Sequence, residues 1–311
     1  MAGMTDTAPQ TSVTEQIAPD TTVGTVALTV SDLDRSRAFY ERSLGMRATA
    51  RSERVVELRP ASDAGPPLLE LTGEPAAVPP PRRATGLFHF AVLVPSRAHL
   101  ALALARLAQS RWPLDGASDH MVSEALYLSD PDGNGIEIYR DRPRSEWPRQ
   151  SDMVRMATLP LDLDGLLREL PPDALRSPSG DASNDAATGS TLPADTRIGH
   201  VHLKVADLAS AERFYGDVLG LEVMQRSYPG ALFLAAGGYH HHVGLNTWQS
   251  LNGSPPPPDA LGLRAFELRL PDDASLQALL RRIESAGLAT EQARDGVLAR
   301  DPSGNGVLLR I

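Results

Sequence analysis

Two stretches of the chain carry the same order of apolar and polar positions. Val23–Met46 reads VGTVALTVSDLDRSRAFYERSLGM, and Ile198–Leu221 reads IGHVHLKVADLASAERFYGDVLGL. Each opens with the alternation of a strand, whose successive side chains face opposite ways. Each then turns at an Asp-Leu pair (Asp32-Leu33, Asp207-Leu208) into an amphipathic helix. Phe39-Tyr40 and Phe214-Tyr215 supply the helix's buried face, and Gly45 and Gly220 suit the left-handed residue that stops it.

A weaker repeat accompanies the first. Gly86–Ser96 and Gly262–Asp272 predict strands, followed by helices near His99–Gln109 and Ala274–Ser285. Both close with a Pro-containing Gly-Asn turn that feeds a last strand, DPDGNGIEIYR (Asp130–Arg140) and DPSGNGVLLRI (Asp301–Ile311). Leu68–Leu71 and His242–Asn246 read as the last strands of the other two units, and each unit leaves room for two more strands after its helix. The pattern predicts four βαβββ units at 23–73, 86–142, 197–248 and 262–311, in chain order a first pair over 23–142 and a second over 197–311. Residues 1–22 are polar, lack the marks of a signal peptide and predict a disordered tail. Residues 143–196 predict a linker, with a short helix in MVRMATLPLDLDGLLREL and a flexible stretch at Pro171–Asp195.

Composition narrows the function. The 311 residues are 41% apolar, enough for sizeable cores in about two domains. No cysteine is present, which excludes disulfide scaffolds, thiolate metal sites and cysteine nucleophiles. A net charge of −9 without a basic run argues against nucleic-acid and anionic-membrane partners. No apolar run reaches the roughly 18 residues of a membrane span, and the richest, Leu100–Ala108, is broken by Arg106. The expectation is a cytoplasmic protein, compatible with a monomer or a homodimer.

Candidate chemistry lies in eight histidines. His89, His200 and His202 fall in first strands, His240, His241 and His242 enter a last strand, and His120 precedes the strand Ala125–Leu128. His99 lies on a helix and reads as solvated. His200 and His202 share a strand face, although a strand histidine is more often a hydrogen-bonded core residue than a ligand. Glu137, between Ile136 and Ile138, allows two readings. Either it points inward and needs a cation or donors, or the isoleucines fill the core and Glu137 meets water.

The pattern HxxLxVxDL, the helix ending FYxxxLG and the turn DPxGNxxE together resemble the vicinal oxygen chelate superfamily of extradiol dioxygenases, glyoxalase I and bleomycin-resistance proteins. More narrowly, SEALYLSDPDGNGIEIYRDRP (Ser123–Pro143) and AGGYHHHVGLNTW (Ala236–Trp248) are similar to its bacterial catechol 2,3-dioxygenase-like group. The resemblance implies an α+β fold of four βαβββ modules paired into two cup-shaped mixed-sheet domains. Ligand positions on first and last strands fall at Thr25, Glu70, His89, Glu137, His200, Gly244, Ala265 and Leu308. Sequential pairing puts Thr25, Glu70, His89 and Glu137 in one cup, with Glu70 as a third ligand. Crossed pairing of the second unit with the third gathers His89, His200 and Glu137 and is favoured.

Two histidines and a carboxylate suit non-heme Fe(II), and Mn(II) shares the preference. The implied reaction joins O₂ to a catechol-type aromatic diol by extradiol cleavage. The resemblance makes His241 the acid–base residue, titrating near neutrality, with His240 and His242 one step away in register. It makes Tyr127 a hydrogen-bond donor to substrate and His120 a supporting histidine. The rival readings are a glyoxalase-like or hydroquinone-cleaving metalloenzyme and a metal-free binding protein of the bleomycin-resistance type.

Overall fold

Each unit begins its helix the same way, with a short polar side chain at the N-cap. Asp32, Ser96, Asp207 and Asp272 accept from the backbone N–H of Arg35, His99, Ser210 and Ser275, satisfying donors that a helix start leaves bare. A computed structural model describes residues 15–62, 64–151, 153–171, 174 and 191–311. The first unit comprises β1 (Thr22–Val30), α1 (Leu33–Phe39), β2 (Arg47–Ser52), β3 (Val55–Arg59) and β4 (Leu69–Gly73). The second comprises β5 (Gly86–Leu93), α2 (Arg97–Ser110), β6 (Gly116–Asp119), β7 (Ser123–Ser129) and β8 (Gly135–Asp141). Three short strands, β9 (Arg149–Gln150), β10 (Met153–Val154) and β11 (Leu159–Pro160), then lead to α3 (Leu163–Leu167). The third unit has β12 (Arg197–Lys204), α4 (Leu208–Glu212), β13 (Glu222–Gln225), β14 (Ala231–Ala235) and β15 (Val243–Asn246). The fourth has β16 (Gly262–Arg269), α5 (Asp273–Ser285), β17 (Thr290–Ala293), β18 (Gly296–Arg300) and β19 (Gly306–Arg310). α1 and α4 widen into π-helical turns, and Gly45 (φ 74°) and Gly220 (φ 83°) take the left-handed conformation after them.

The large sheets do not follow chain order. One has eight strands, β17-β18-β19-β16-β1-β4-β3-β2, and joins the first unit to the fourth. The other has nine, β11-β6-β7-β8-β5-β12-β15-β14-β13, and joins the second unit to the third. In both, first strands meet antiparallel (β1 with β16, β5 with β12), while each first strand runs parallel to its own unit's last strand. The segments 23–142 and 197–311 are therefore neighbours along the chain rather than separate sheets.

Pairs in chain order are tied together through their helices and turns. The Tyr40 hydroxyl donates to Asp130 at 2.9 Å, joining the first unit to the second, and Tyr215 donates to Asp301 at 3.1 Å, joining the third to the fourth. Arg106 on α2 donates to the Leu44 carbonyl at 2.8 Å, and Arg282 on α5 repeats this at the Leu219 carbonyl, also at 2.8 Å. The arginine that interrupts the apolar run of α2 thus serves the exposed carbonyls of a neighbouring helix end.

Between the sheets lies an extended apolar core. Val26, Leu28, Phe90, Val92, Val201, Leu203, Phe266 and Leu268 point into it from the first strands, joined by Ile136 and Ile138. The alternate residues face the concave side of their sheet. Both halves of the expectation for Glu137 are met in an unforeseen way: the isoleucines fill the core, and Glu137 faces a second, enclosed interior at 3% exposure.

Two expectations are corrected. Residues 15–22 of the expected disordered tail are ordered: Ile17 is buried, its N–H donates to the Gly220 carbonyl at 2.9 Å, and Thr22 opens β1. Residues 1–14 lie outside the described residues. In the expected linker, Trp147, Val154 and Leu192 are buried, and β11 extends the larger sheet beside β6. Its helix is confined to α3, and most of its flexible stretch, 172–173 and 175–190, lies outside the described residues. Among the described residues no helix is long and apolar enough to cross a membrane.

Because Tyr40 supplies a bond to a buried carboxylate, Tyr40→Phe is expected to lower unfolding free energy by about 1–2 kcal/mol. Urea unfolding of both proteins measures it, and an unchanged midpoint would remove the tie from the account.

Candidate metal centre

The seam between β5 and β12 builds the site. Two irregularities in this ladder, after Ile198 and after His202, set His202 opposite His89 and His200 opposite Ala91. The parallel partner β8 brings Glu137 beside Ala91. All four side chains face the concave side. His89 Nε2 lies 3.0 Å from Glu137 Oε2, and His200 Nε2 lies 3.2 Å from the same oxygen. Their ligand atoms lie within 4.8 Å of one another, and each residue is at most 7% exposed.

These groups fit a metal ion. Despite its closeness to the carboxylate, the buried His89 Nε2 makes no hydrogen bond and is therefore available as a ligand at the cluster. Adjacent ligands at right angles about a first-row divalent ion, with bonds of roughly 2.1 Å, stand roughly 3 Å apart. Burial pushes the Glu137 carboxyl upward, but His200 and His89 more than offset this and hold it well below the usual carboxylate range. Burial lowers His200 to about 4, against the opposing pull of Glu137. A deprotonated carboxylate and a neutral imidazole are the forms that bind metal.

Above the cluster is a cavity of about 210 Å³. Phe88, Phe233, Trp248 and Met156 give it apolar walls, while His89, Glu137, Tyr127, His120, His202 and His241 supply polar groups. Part of the wall comes from the supposed linker, through Met156 and Thr158. Trp248 stands at the rim, 46% exposed, with its indole N–H donating to the Pro229 carbonyl at 2.9 Å.

Most of the sequence-predicted site residues converge here. His241 lines the cavity, its ring centroid 4.0 Å from that of His200. It does not titrate near neutrality: burial, followed by His200, His240, His202 and His89, pushes its pKa well below the ordinary histidine value. Tyr127 and His120 are bonded to each other, Tyr127 Oη to His120 Nε2 at 2.7 Å, while His120 Nδ1 lies 2.8 Å from the Ala157 carbonyl. A carbonyl only accepts, so Nδ1 carries the His120 proton and Nε2 accepts from Tyr127. The Tyr127 hydroxyl, expected to donate to substrate, is already committed as a donor and turns its lone pairs to the cavity. His242 is the exception. It faces away from this cavity, and its Nδ1 accepts from the Ala236 N–H at 3.1 Å. Glu70, the alternative third ligand, lies on the other sheet beside Arg264, 3.4 Å away.

One cavity histidine was not among the predicted site residues. His202 is 3% exposed with an unpartnered Nε2, packed among Phe88, His89, Phe233 and Trp248. The signal was its place two residues from His200, on the same strand face.

Paired βαβββ units, with two imidazoles and a carboxylate at the floor of an apolar cup, define a class of metal-dependent enzymes on a shared scaffold. The chain belongs to the Glyoxalase/Bleomycin resistance protein/Dioxygenase superfamily, whose sequence profile matches residues 22–138 and 197–309. It is 43% identical over 290 residues to a catechol-2,3-dioxygenase of Bacillus subtilis (strain 168), covering 92% of this chain and 95% of that one. Among solved structures, a putative dioxygenase from Bacillus subtilis subsp. subtilis str. 168 superposes with a TM-score of 0.61 at 13% identity, covering 95% of this chain and 86% of that one. Glyoxalase I from Zea mays superposes with a TM-score of 0.52 at 16% identity, covering 93% and 92%. These structural likenesses concern the fold.

Two predictions follow from the geometry. His200→Ala is expected to weaken metal binding by more than about 100-fold, whereas Glu70→Gln retains it; metal analysis of the purified variants decides, and stoichiometric metal in His200→Ala would refute the ligand set. The second concerns acid stability. His242 has its pKa lowered from 6.5 to about 3, chiefly by burial, so below pH 6.5 the unfolded chain binds a proton that the folded chain refuses. Stability present above pH 6.5 is therefore lost as pH falls toward 3, by up to about 1.4 kcal/mol per pH unit. In His242→Gln the slope of unfolding free energy against pH over this window should shrink by about one proton, as followed by urea titrations.

Proposed function

We propose that the protein is an Fe(II)-dependent extradiol dioxygenase that opens a single-ring catechol beside its diol, with O₂ as co-substrate. The observation that carries this reading is the convergence of His89, His200 and Glu137 beneath a ring-sized apolar cavity that His89, Glu137 and His241 line. An apolar cavity of roughly 150 Å³ takes up benzene. The 210 Å³ here suits one aromatic ring with two hydroxyls. The three protein ligands of the cluster favour an oxygenase over a glyoxalase-like isomerase, which normally brings a fourth. The 43% identity to a catechol-2,3-dioxygenase supports the same substrate class.

His89, His200 and Glu137 would hold the iron. Bound there, Fe(II) supplies Lewis acidity toward the diol and one-electron chemistry toward O₂. His241, neutral and with Nδ1 engaged by His240, offers Nε2 to a proton leaving the diol and returns it as the ring opens. Tyr127, whose proton is held by His120, accepts a hydrogen bond from a substrate hydroxyl. Phe88, Phe233 and Trp248 grip the ring and keep water from the polar end. Both atoms of O₂ end in the ring-opened hydroxymuconic semialdehyde, and the ring supplies all the electrons, so no external reductant is consumed.

Oxygen consumption by iron-loaded protein tests the reading. One O₂ per catechol with a yellow product is expected, and His241→Ala should lower kcat by about 10²–10⁴-fold. No uptake by protein shown to hold its iron would exclude this activity on catechol, and metal analysis of the active protein separates Fe(II) from Mn(II).

A further inference from the structure

We propose that Asp141, acting through His240, fixes the tautomer of His241 and thereby aims a bare nitrogen into the cavity; this rests on the dioxygenase reading of the site. Three contacts form a line that ends at the cavity wall. His240 Nε2 lies 2.9 Å from Asp141 Oδ1, and His240 Nδ1 lies 2.7 Å from His241 Nδ1. At the far end, Asp141 Oδ2 accepts from the Tyr239 hydroxyl at 2.9 Å, which in turn is 2.8 Å from the Tyr139 hydroxyl.

The direction of this line follows from valence. An ionised carboxylate only accepts, so His240 must carry its proton on Nε2. With that single proton on His240, its Nδ1 is a bare acceptor, and the short contact to His241 calls for a proton on His241 Nδ1. Nε2 of His241 is left without one.

Without the carboxylate, the two imidazoles could exchange roles. His240 would donate from Nδ1, and His241 would turn an Nε2–H into the cavity, where it could not take a proton from substrate. Asp141 removes this degeneracy from a distance: its carboxylate bonds to Tyr239 and His240, which neither line the cavity nor belong to the metal cluster. Its carboxylate is held at both oxygens, and His240 is fully buried against Trp147 and Tyr239, so the line is rigid. Asp141 and His240 are positioning residues. The arrangement also gives the segment after β8 a role, since Trp147 closes over His240 and keeps water from supplying a competing partner.

Nitrogen NMR on ¹⁵N-histidine-labelled, full-length protein, loaded with diamagnetic zinc in place of iron, reads the tautomer directly. The expected result is a protonated Nδ1 and a bare Nε2 on His241; a protonated Nε2 in the wild type would overturn the proposal. In Asp141→Leu, close to aspartate in size but unable to accept, the His241 signals should shift toward the Nε2–H form. The iron-loaded variant should keep its metal and lose about 10- to 100-fold in kcat, with KM changed less than about twofold. An unaltered tautomer or an unaltered kcat would overturn the role of Asp141, and Asp141→Ala offers the same readout should the leucine variant fold poorly. If the wild type shows the expected tautomer but consumes no O₂ with catechol, the dioxygenase reading fails while the tautomer assignment stands.

Discussion

A carboxylate buried to 3% exposure between two imidazoles is the constraint around which this molecule is arranged. Removing an ion from water costs several kcal/mol unless charge or donors meet it. Glu137 has one hydrogen bond to His200 and a close approach from His89 that is not a hydrogen bond. The residues that bring the three together come from two units separated along the chain, and only the antiparallel meeting of β5 and β12 puts them within reach. Those strands in turn keep their other face in the common core through Phe90, Val92, Val201 and Leu203. The apolar packing that stabilises the fold is thus also what holds the polar cluster in register.

The second sheet shows the same frame without that cluster. On β16, Glu267 also alternates with core residues, Phe266 and Leu268, but is met by Arg269 at 3.2 Å, Arg310 at 3.0 Å and the Thr25 N–H at 3.1 Å. On β3, Glu57 is met by Arg51 and Arg59. Arginine always carries its charge and satisfies a carboxylate outright, whereas neutral histidine leaves it in want of a cation. The choice of partner for a buried acid separates a ligand cup from a structural one on a shared backbone.

Much of this was legible in the sequence because two periodicities were printed four times over. Alternation gave the strands, the Asp-Leu and Asp-Pro turns gave their limits, and the family resemblance implied ligand positions at His89 and His200 on first strands and Glu137 on a last strand. What stayed hidden depended on partners remote in sequence. The wall built from 143–161 has strands of two residues, too short for any period to show. The direction of the Tyr127 hydrogen bond is set by the Ala157 carbonyl, through His120. The histidine run did not say which of its residues turns to the cavity: His241 does, while His242 turns to the Ala236 amide.

The crossed arrangement of the sheets also governs how such a chain comes into being. Thr25 bonds to Glu267 across 242 positions, and His200 meets Glu137 across 63, so both sheets depend on residues that leave the ribosome late. Loop closure of that span is costly before any contact rewards it, and such topologies fold slowly. Until the fourth unit emerges, β1 has no antiparallel neighbour and exposes an open edge. The first half of the newborn chain carries two of the three cluster residues but lacks His200, so the complete cup waits for the third unit and cannot mature during the early part of synthesis.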